Sequence, residues 1–190
     1  MTTEPMHTAS RFVPYPIPKG YLEHRDPSHP APRHLGHDLY LALAESFEAT
    51  AEHGIAEIHI PEDLAERGTP DQLIAEAQRN LADDLRAGAV GIARFTGPNG
   101  VPFMLFGGDW RAASCLLLPD LHAFVARHLG EGPFCVSVPH RGSMVVFPDG
   151  GPEQRSAMQA MIAAKEAGEP KPLTPHLFSL GPEGIAPIPP

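Results

Sequence analysis

The sequence predicts an α+β domain: a mainly antiparallel sheet built from hairpins, with helices packed on one face, and a proline-rich N-terminal arm. Two pairs of short apolar runs are each separated by a few turn-forming residues, which is typical of antiparallel hairpins. Stretches with apolar residues every three or four positions alternate with them and indicate amphipathic helices. Because hairpins dominate, we expect no doubly wound parallel sheet. We divide the chain into an extended Pro/His-rich arm, 1–36, and a single domain, 37–187.

The arm contains seven prolines, each of which fixes φ and removes a backbone donor. We therefore expect extended, polyproline-like chain here and no regular helix. The arm also carries four apolar residues that are costly to leave in water, so we expect partial docking on the domain through Phe12, Tyr15, Ile17 and Tyr21.

The domain begins with a predicted helix. Apolar residues from Leu39 to Thr50 follow helical spacing, and Gly54 ends the run. A short strand is expected at 55–60, where Pro61 stops it.

The clearest helix signal starts at Thr69. This residue is placed as the N-cap, Pro70 as the first helical residue, and Gln72 as the partner that completes a capping box. Leucine or alanine then recurs every four positions as far as Leu85, and Gly88 ends the helix.

Two hairpins form the centre of the predicted sheet. The first pairs 89–95 with 101–106 across a Gly-Pro-Asn-Gly turn, whose Asn-Gly pair supplies the positive φ that such turns need. The second pairs 134–138 with 143–147.

Helical spacing also covers 109–128, but Pro119 lies inside it, so we expect a kink or a restart there. A last helix opens at Pro152 and ends at Gly168. A strand at 176–180 follows and turns back on itself before a proline-rich tail that we expect to be loose.

Composition excludes several classes of function. The chain has 14 basic and 23 acidic residues and a formal net charge of −9, so phosphate backbones and anionic lipids are repelled, and we expect neither nucleic-acid nor membrane binding. No run approaches the roughly 20 apolar residues of a membrane span, and the first ten residues lack the apolar run of a secretory signal. Two cysteines without a C-x-x-C motif cannot form a disulfide scaffold. We expect a cytoplasmic protein with reduced thiols.

Three segments carry a resemblance to a known family. The helix QLIAEAQRNL at 72–81 contains A-x-x-N-L, the stretch DWRAASCLLL at 109–118 fits D-x-x-x-A-S-x-L-L-L, and the hairpin VSVPHRGSMVVF at 136–147 is similar to V-A-x-P-x-R-D-x-L-x-F. Together they resemble the YtpQ-like proteins, an uncharacterised bacterial family, over about residues 71–187. The resemblance implies a bacterial protein and a fold but no activity, and Gly142 stands where the family often has Asp.

The tip of the second hairpin holds three candidate binding residues, His140, Arg141 and Ser143. Histidine and serine offer a general base and a hydroxyl, and arginine binds anions. Since no third member of a triad and no G-x-S-x-G elbow is present, we assign no catalytic residue. The reading we favour is structural: Arg141 pairs with an acid such as Asp109 and holds the hairpin against the start of a helix.

Asp109 and Trp110 are two further candidates, placed after Gly107-Gly108. Glycines before a helix N-terminus can admit an anion, but Asp109 would compete as the N-cap, so a tight turn is the simpler expectation. Trp110 is the one tryptophan and a candidate anchor for a partner, although packing in the core or against the arm is the interpretation we favour.

No metal or cofactor is assigned. Zinc takes imidazole and carboxylate ligands, but the spacing of the arm's histidines matches no metal motif: His24, His29, His34 and His37, with Asp26 and Asp38 nearby. Cys115 and Cys135 lie among apolar residues, so we expect buried, unreactive thiols. A Cys–His pair with His122 or His140 stays open.

These features favour a non-catalytic protein-binding or adaptor protein, for example an acidic immunity or inhibitor protein that masks a basic partner. The arm would suit docking or exchange between copies in a homo-oligomer. Two alternatives are an enzyme of unrecognised, hydrolase-like class, and a small-molecule sensor with a pocket between sheet and helices. Polar side chains converging in a deep cleft would favour the enzyme, and an exposed apolar patch would favour the binding protein.

Overall fold

A computed structural model of the chain describes residues 11–46 and 57–189, and it shows the α+β class that the sequence predicts. The first sheet has four strands: β1 (Arg11–Pro18), β2 (His34–Gly36), β3 (Leu39–Ser46) and β4 (Glu57–His59). β3 is its central strand, paired with β1 along one side and with β2 and β4 along the other. All of these pairings are antiparallel.

The second sheet has six strands, in the order β10-β9-β7-β8-β6-β5, and every neighbouring pair is antiparallel. The strands are β5 (Gly91–Thr96), β6 (Pro102–Gly107), β7 (Phe134–His140), β8 (Ser143–Pro148), β9 (Leu177–Gly181) and β10 (Gly184–Pro187). Both predicted hairpins are confirmed, and Asn99 (φ 54°) and Gly100 (φ 76°) adopt the positive φ that the first turn requires. The chain after β9 is not loose throughout, because β10 pairs with it.

Three α-helices are present in the described residues: α1 (Pro70–Arg86), α2 (Leu121–Leu129) and α3 (Pro152–Lys165). The capping box of α1 is confirmed, since the Gln72 amide donates to Thr69 Oγ1 and the Thr69 amide donates to Gln72 Oε1. The break at Pro119 is confirmed as well: a 3₁₀ helix covers Ala113–Leu117, and α2 starts beyond the proline.

Helices cover both faces of the second sheet, whereas we expected them on one. Residues of one parity, such as Val136 and Met144, pack with α2, and residues of the other, such as Cys135 and Val145, pack with α3. The reason lies in the strands, because β7 is buried over Phe134–Val138 on both of its faces, and each face requires cover.

The predicted helix from Leu39 is wrong: these residues form strand β3. The rest of that prediction, including Thr50 and Gly54, lies outside the described residues. The run Leu-Tyr-Leu-Ala-Leu-Ala is almost continuously apolar, and periodicity does not separate a doubly buried strand from a helix. Leu43 packs towards α1, while Ala42 and Ala44 face the opposite cluster with β1.

From Arg11 to Pro18 the N-terminal arm is extended and docked, as expected, and forms a full strand of the first sheet, whereas a short 3₁₀ helix follows at Lys19–Leu22. Phe12, Tyr15 and Ile17 are buried, but Tyr21 is 52% exposed. The first sheet therefore extends across residue 36, since β1 and β2, which precede it or end at it, both pair with β3, which follows it.

Prolines occupy every second position of β1, at Pro14, Pro16 and Pro18. The Lys19 amide donates to the Asp38 carbonyl, so by alternation the amides of odd-numbered residues face β3 and the proline nitrogens face outward. From Pro14 to Pro18 the strand therefore has no outward amide and cannot donate to a further strand there.

A buried carboxylate joins the two halves of the molecule. Asp84, on α1, is ion-paired with Arg11 of β1 and, at 2.8 Å, with Arg111 from the loop after β6. Arg11 also donates to the Asn80 carbonyl at 2.6 Å. One side chain therefore ties the first sheet, α1 and the second sheet together.

Replacing this carboxylate tests its role. Asp84→Ala removes the carboxylate that two guanidinium groups share in a half-buried site, while Arg111 keeps its pair with Asp109, and we expect it to lower the free energy of unfolding by about 2 kcal/mol. The adjacent Asp83→Ala is the matched control, because Asp83 is exposed and its ion pair with Arg86 contributes at most about 0.5 kcal/mol. Urea unfolding followed by circular dichroism measures both, and equal losses for the two variants would contradict the assignment.

Candidate functional site

The tip of the second hairpin brings His140 and Ser143 to one carboxylate, Glu166, which lies just beyond α3. His140 Nε2 is 2.7 Å from Glu166 Oε2, and the Ser143 hydroxyl donates to Glu166 Oε1 at 3.1 Å. The Gly142 amide donates to His140 Nδ1 at 3.1 Å, so Nδ1 is an acceptor and Nε2 carries the ring proton. Both side chains therefore donate to the same acid.

This arrangement differs from a Ser–His–acid relay. In a relay the histidine accepts the serine proton, whereas here Ser143 donates to Glu166 and the acceptor nitrogen of His140 is taken by a backbone amide. The geometry holds the hairpin to the end of α3 and does not activate the hydroxyl. Sequence reasoning missed Glu166, because nothing local distinguishes it from other helix-terminal glutamates.

The expected pair between Arg141 and Asp109 is wrong. Asp109 instead accepts from Arg111, at 2.6 Å from Nε, 2.9 Å from Nη2 and 2.9 Å from the backbone amide. Burial raises the pKa of Asp109, but these hydrogen bonds outweigh it and hold that pKa below its usual range. The hairpin is held by its backbone, since the Arg141 carbonyl accepts from the Ala113 amide at 3.1 Å.

Trp110 packs against the arm, which confirms the interpretation that we favoured. Its ring centroid is 5.9 Å from that of Tyr15 in β1, and the Arg111 guanidinium lies 5.4 Å from its centroid. The glycines before it form the expected tight turn, with Gly108 at φ 79°.

The arm's histidines do not gather into a metal site among the described residues. His34 contacts the His37 carbonyl, and His37 contacts the Leu177 carbonyl. Three other ligand atoms do lie within 4.8 Å of one another, on Glu45, Glu57 and His59.

This second group joins β3 to β4 and has residue types that zinc accepts. A cation already occupies it, however, because Arg67 Nη1 is 3.2 Å from Glu45 Oε1, while His59 Nε2 is 2.8 Å from Glu45 Oε2. The group is therefore an ion-pair network. Its ligands come from two strands, which is why the sequence alone did not indicate it.

Both cysteines are buried, as expected. Burial raises the pKa of the Cys115 thiol and that of the Cys135 thiol to about 12. The two histidines that we considered as thiol partners contact other groups, His140 the Glu166 carboxylate and His122 the ring of Phe134.

The outer edge of β5 is open. Within the described ranges β5 pairs only with β6, and all six of its residues are exposed, with Ile92 at 36% and Phe95 at 48%. The Gly97 amide donates to the Val101 carbonyl at 2.7 Å, so alternate residues counted back from Gly97 bond to β6. The amides and carbonyls of Ile92, Arg94 and Thr96 therefore point away from the sheet.

A groove of about 760 Å³ lies beside this edge, between α1 and α2. Ile92 of β5 lines it together with apolar side chains such as Leu118 and Phe124. Three arginines also line it, Arg79 and Arg86 from α1 and Arg127 from α2, as do two acids, Asp120 and Asp83, which pairs with Arg86. Arg94 is on the same face of β5 as Ile92, two residues further along the strand.

Two arginines of the groove, together with Arg94, differ from most others in the chain. Of eleven arginines, all within the described ranges, seven lie within 4.0 Å of a carboxylate. Four have no carboxylate of a described residue within that distance: Arg79, Arg94, Arg127 and Arg141. Three of these four belong to the groove and the β5 edge.

Comparison with protein-family models, curated proteins and solved structures finds no match for this chain. The resemblance to the YtpQ-like family therefore stays a prediction. In the part of the chain that the structure describes, no helix has the length and apolar character needed to cross a bilayer.

The thiol pKa values predict slow alkylation and disulfide exchange. At pH 8 a thiol with a pKa of about 12 has about a thousandfold less thiolate than one near 9, so the folded protein should react with a disulfide reagent that much more slowly than the unfolded chain. Absorbance after adding the reagent, with and without concentrated guanidinium chloride, measures the ratio. Rapid reaction of the folded protein, assigned with Cys115→Ser and Cys135→Ser, would contradict burial of the thiol that reacts.

Proposed function

We propose that this protein is a non-catalytic binding protein that receives an acidic, extended segment of another polypeptide on the outer edge of β5. The observation that carries the proposal is the open edge itself, with the outward backbone groups of three residues beside an apolar groove. Addition of a strand to an exposed sheet edge is a common mode of peptide recognition, in which backbone hydrogen bonds supply affinity and neighbouring pockets supply specificity.

The treatment of the other edges supports this choice. β1 presents proline nitrogens outward, and β10 lies against β2. Exposed edges promote unwanted association, and proteins usually block them with proline, charge or a covering segment. The one charged residue of β5 is Arg94, between Ile92 and Phe95. Its charge disfavours the addition of a basic or apolar strand and favours an acidic one.

Charge indicates the character of the partner. The chain is acidic overall, yet Arg79, Arg94 and Arg127 lie at the edge and groove without a carboxylate of a described residue within 4.0 Å. The groove also has two acids, of which Asp83 pairs with Arg86, so the cations without such a partner outnumber the one remaining acid, Asp120. Complementary charge favours encounter with the correct partner and disfavours others. The site therefore favours an acidic segment, in contrast to the basic partner that an immunity-like protein of this charge would mask.

The groove adds a place for an apolar side chain of the partner. A strand paired with β5 directs alternate side chains to the face that carries Ile92, where the groove between α1 and α2 begins. An aromatic or branched residue there would bury apolar surface that is now partly exposed.

The hydrolase-like alternative has less support. His140 and Ser143 both donate to Glu166, an arrangement that does not favour the transfer of the serine proton to the histidine. A cytoplasmic location remains part of the proposal, since two buried free thiols suit a reducing compartment.

Selection from a library of random displayed peptides tests the proposal. We expect the enriched binders to alternate acidic and apolar residues and to shift the amide resonances of Ile92, Arg94 and Thr96. Thr96→Pro removes an outward amide and keeps every charge, so it should weaken binding about tenfold, whereas Thr96→Val keeps the amide and should bind like the wild type. Arg94→Gln should weaken acidic binders and reduce their dependence on salt.

Three results would count against this function. Basic binders would contradict the charge argument, binders that shift other resonances would contradict the site, and a selection without binders would contradict both. Sedimentation of the free protein covers the remaining case: dimerisation that Thr96→Pro abolishes would assign the edge to a second copy of this chain.

A further inference from the structure

A second concave site lies between the arm and the segment that follows α3. It is a cavity of about 300 Å³ lined by Tyr15, Pro18, Tyr21, Lys171, Pro172 and Leu173. Neither the β5 edge nor the groove contributes a residue to it. This cavity is therefore separate from the surface named in the proposed function.

Tyr15 supplies a buried donor. Its side chain is 4% exposed and lines the cavity, and no described residue accepts its hydroxyl proton. Burial raises the pKa of Tyr15, while the nearby positive charge of Arg141 opposes that rise. Arg141 therefore lies close behind Tyr15, just outside the lining of the cavity, and the hydroxyl proton is left to a ligand.

Two cationic residues belong to this region, Lys171 in the cavity lining and Arg141, whose backbone amide donates to the Lys171 carbonyl. Within the described ranges neither Arg141 nor Lys171 has a carboxylate within 4.0 Å. The nearby acids are engaged elsewhere, Asp109 with Arg111 and Glu166 with His140. In a chain of net charge −9, two neighbouring cationic residues without a carboxylate among the described residues favour an anion over a cation as the ligand.

The backbone at Lys171 is held in an unusual conformation. Lys171 has φ 63°, in the left-handed region that costs energy for a residue with a side chain. Its carbonyl accepts from the Arg141 amide at 3.3 Å, and the Leu173 amide donates to the Pro139 carbonyl at 2.9 Å. These bonds fix the lysine beside the hairpin tip.

We infer that this cavity binds a small organic oxyanion, whose carboxylate or phosphate group is held by Arg141, Lys171 and the Tyr15 hydroxyl. Guanidinium, ammonium and phenol donors form charge-assisted hydrogen bonds with such groups. The remaining lining is apolar, from Tyr21, Pro172 and Leu173, and so takes an aromatic or aliphatic portion of the same molecule. The volume of about 300 Å³ suits a single ring carrying one oxyanion.

Three probes separate the parts of this inference: inorganic phosphate, benzoate and phenyl phosphate, each titrated by calorimetry into the full chain. We expect at least one of the two aromatic anions to bind, and to bind more tightly than inorganic phosphate. Binding of phenyl phosphate alone supports the inference with a phosphate ester as the ligand, and binding of benzoate alone supports it with a carboxylate.

Variants locate the site. Arg141→Gln and Lys171→Gly should each weaken binding about tenfold, because each removes one charged donor, and glycine also accepts the left-handed φ. Tyr15→Phe keeps the ring and should weaken binding severalfold. Arg79→Gln is the matched control, since it removes an arginine that also lacks a carboxylate partner but lies at the other site.

Thermal unfolding shows whether each variant is folded, and amide shifts at 171–173 report the site in the wild type. The inference is overturned if neither aromatic anion binds, if inorganic phosphate binds as tightly as phenyl phosphate, or if Arg79→Gln weakens binding as much as Arg141→Gln. Loss of the β5 function with retention of anion binding would leave this site standing.

Discussion

The Asp84 carboxylate, held between Arg11 and Arg111, is the interaction on which the arrangement of the two sheets depends. Arg11 opens β1, and Arg111 belongs to the loop that follows β6, so the carboxylate joins the start of one sheet to the end of a strand in the other. Charged groups withdrawn from water need their partners, because removing one leaves the others uncompensated. The same connection places β1, and with it Tyr15, beside Trp110.

The two long edge strands are treated in opposite ways. The prolines of β1 lack the amides with which it could donate to a second strand. In contrast, β5 keeps its outward amides and exposes two large apolar side chains. The edge of β1 is therefore protected against the addition of a further strand, whereas the edge of β5 is open to it. The arginines follow the same division, since three of the four that have no carboxylate of a described residue within 4.0 Å lie near β5.

Local signals in the sequence predicted the elements that depend on neighbouring residues. The capping box at Thr69 and the Asn-Gly turn are set by side chains within four positions, and both are present. β3 was mistaken for a helix because its apolar run fits both periods, and only burial on two faces decides between them. Periodicity in the sequence likewise does not show how many faces of the second sheet are covered by helices.

The site residues divide in the same manner. Arg141 and Trp110 were identifiable as side chains of unusual type, but their neighbours, Tyr15 and Lys171, come from distant parts of the chain. Glu166 had no local signature at all. Residue type indicates candidates, whereas partnership depends on long-range topology.

The prolines of β1 also affect the unfolded chain. Each of Pro14, Pro16 and Pro18 restricts φ to the extended range before any folding has occurred, so fewer backbone conformations are lost when β1 forms. For a proline that fits its native conformation this saving is about 0.4–1 kcal/mol. The strand that is blocked by proline from pairing with another molecule therefore also loses less conformational entropy on folding than a strand without proline would.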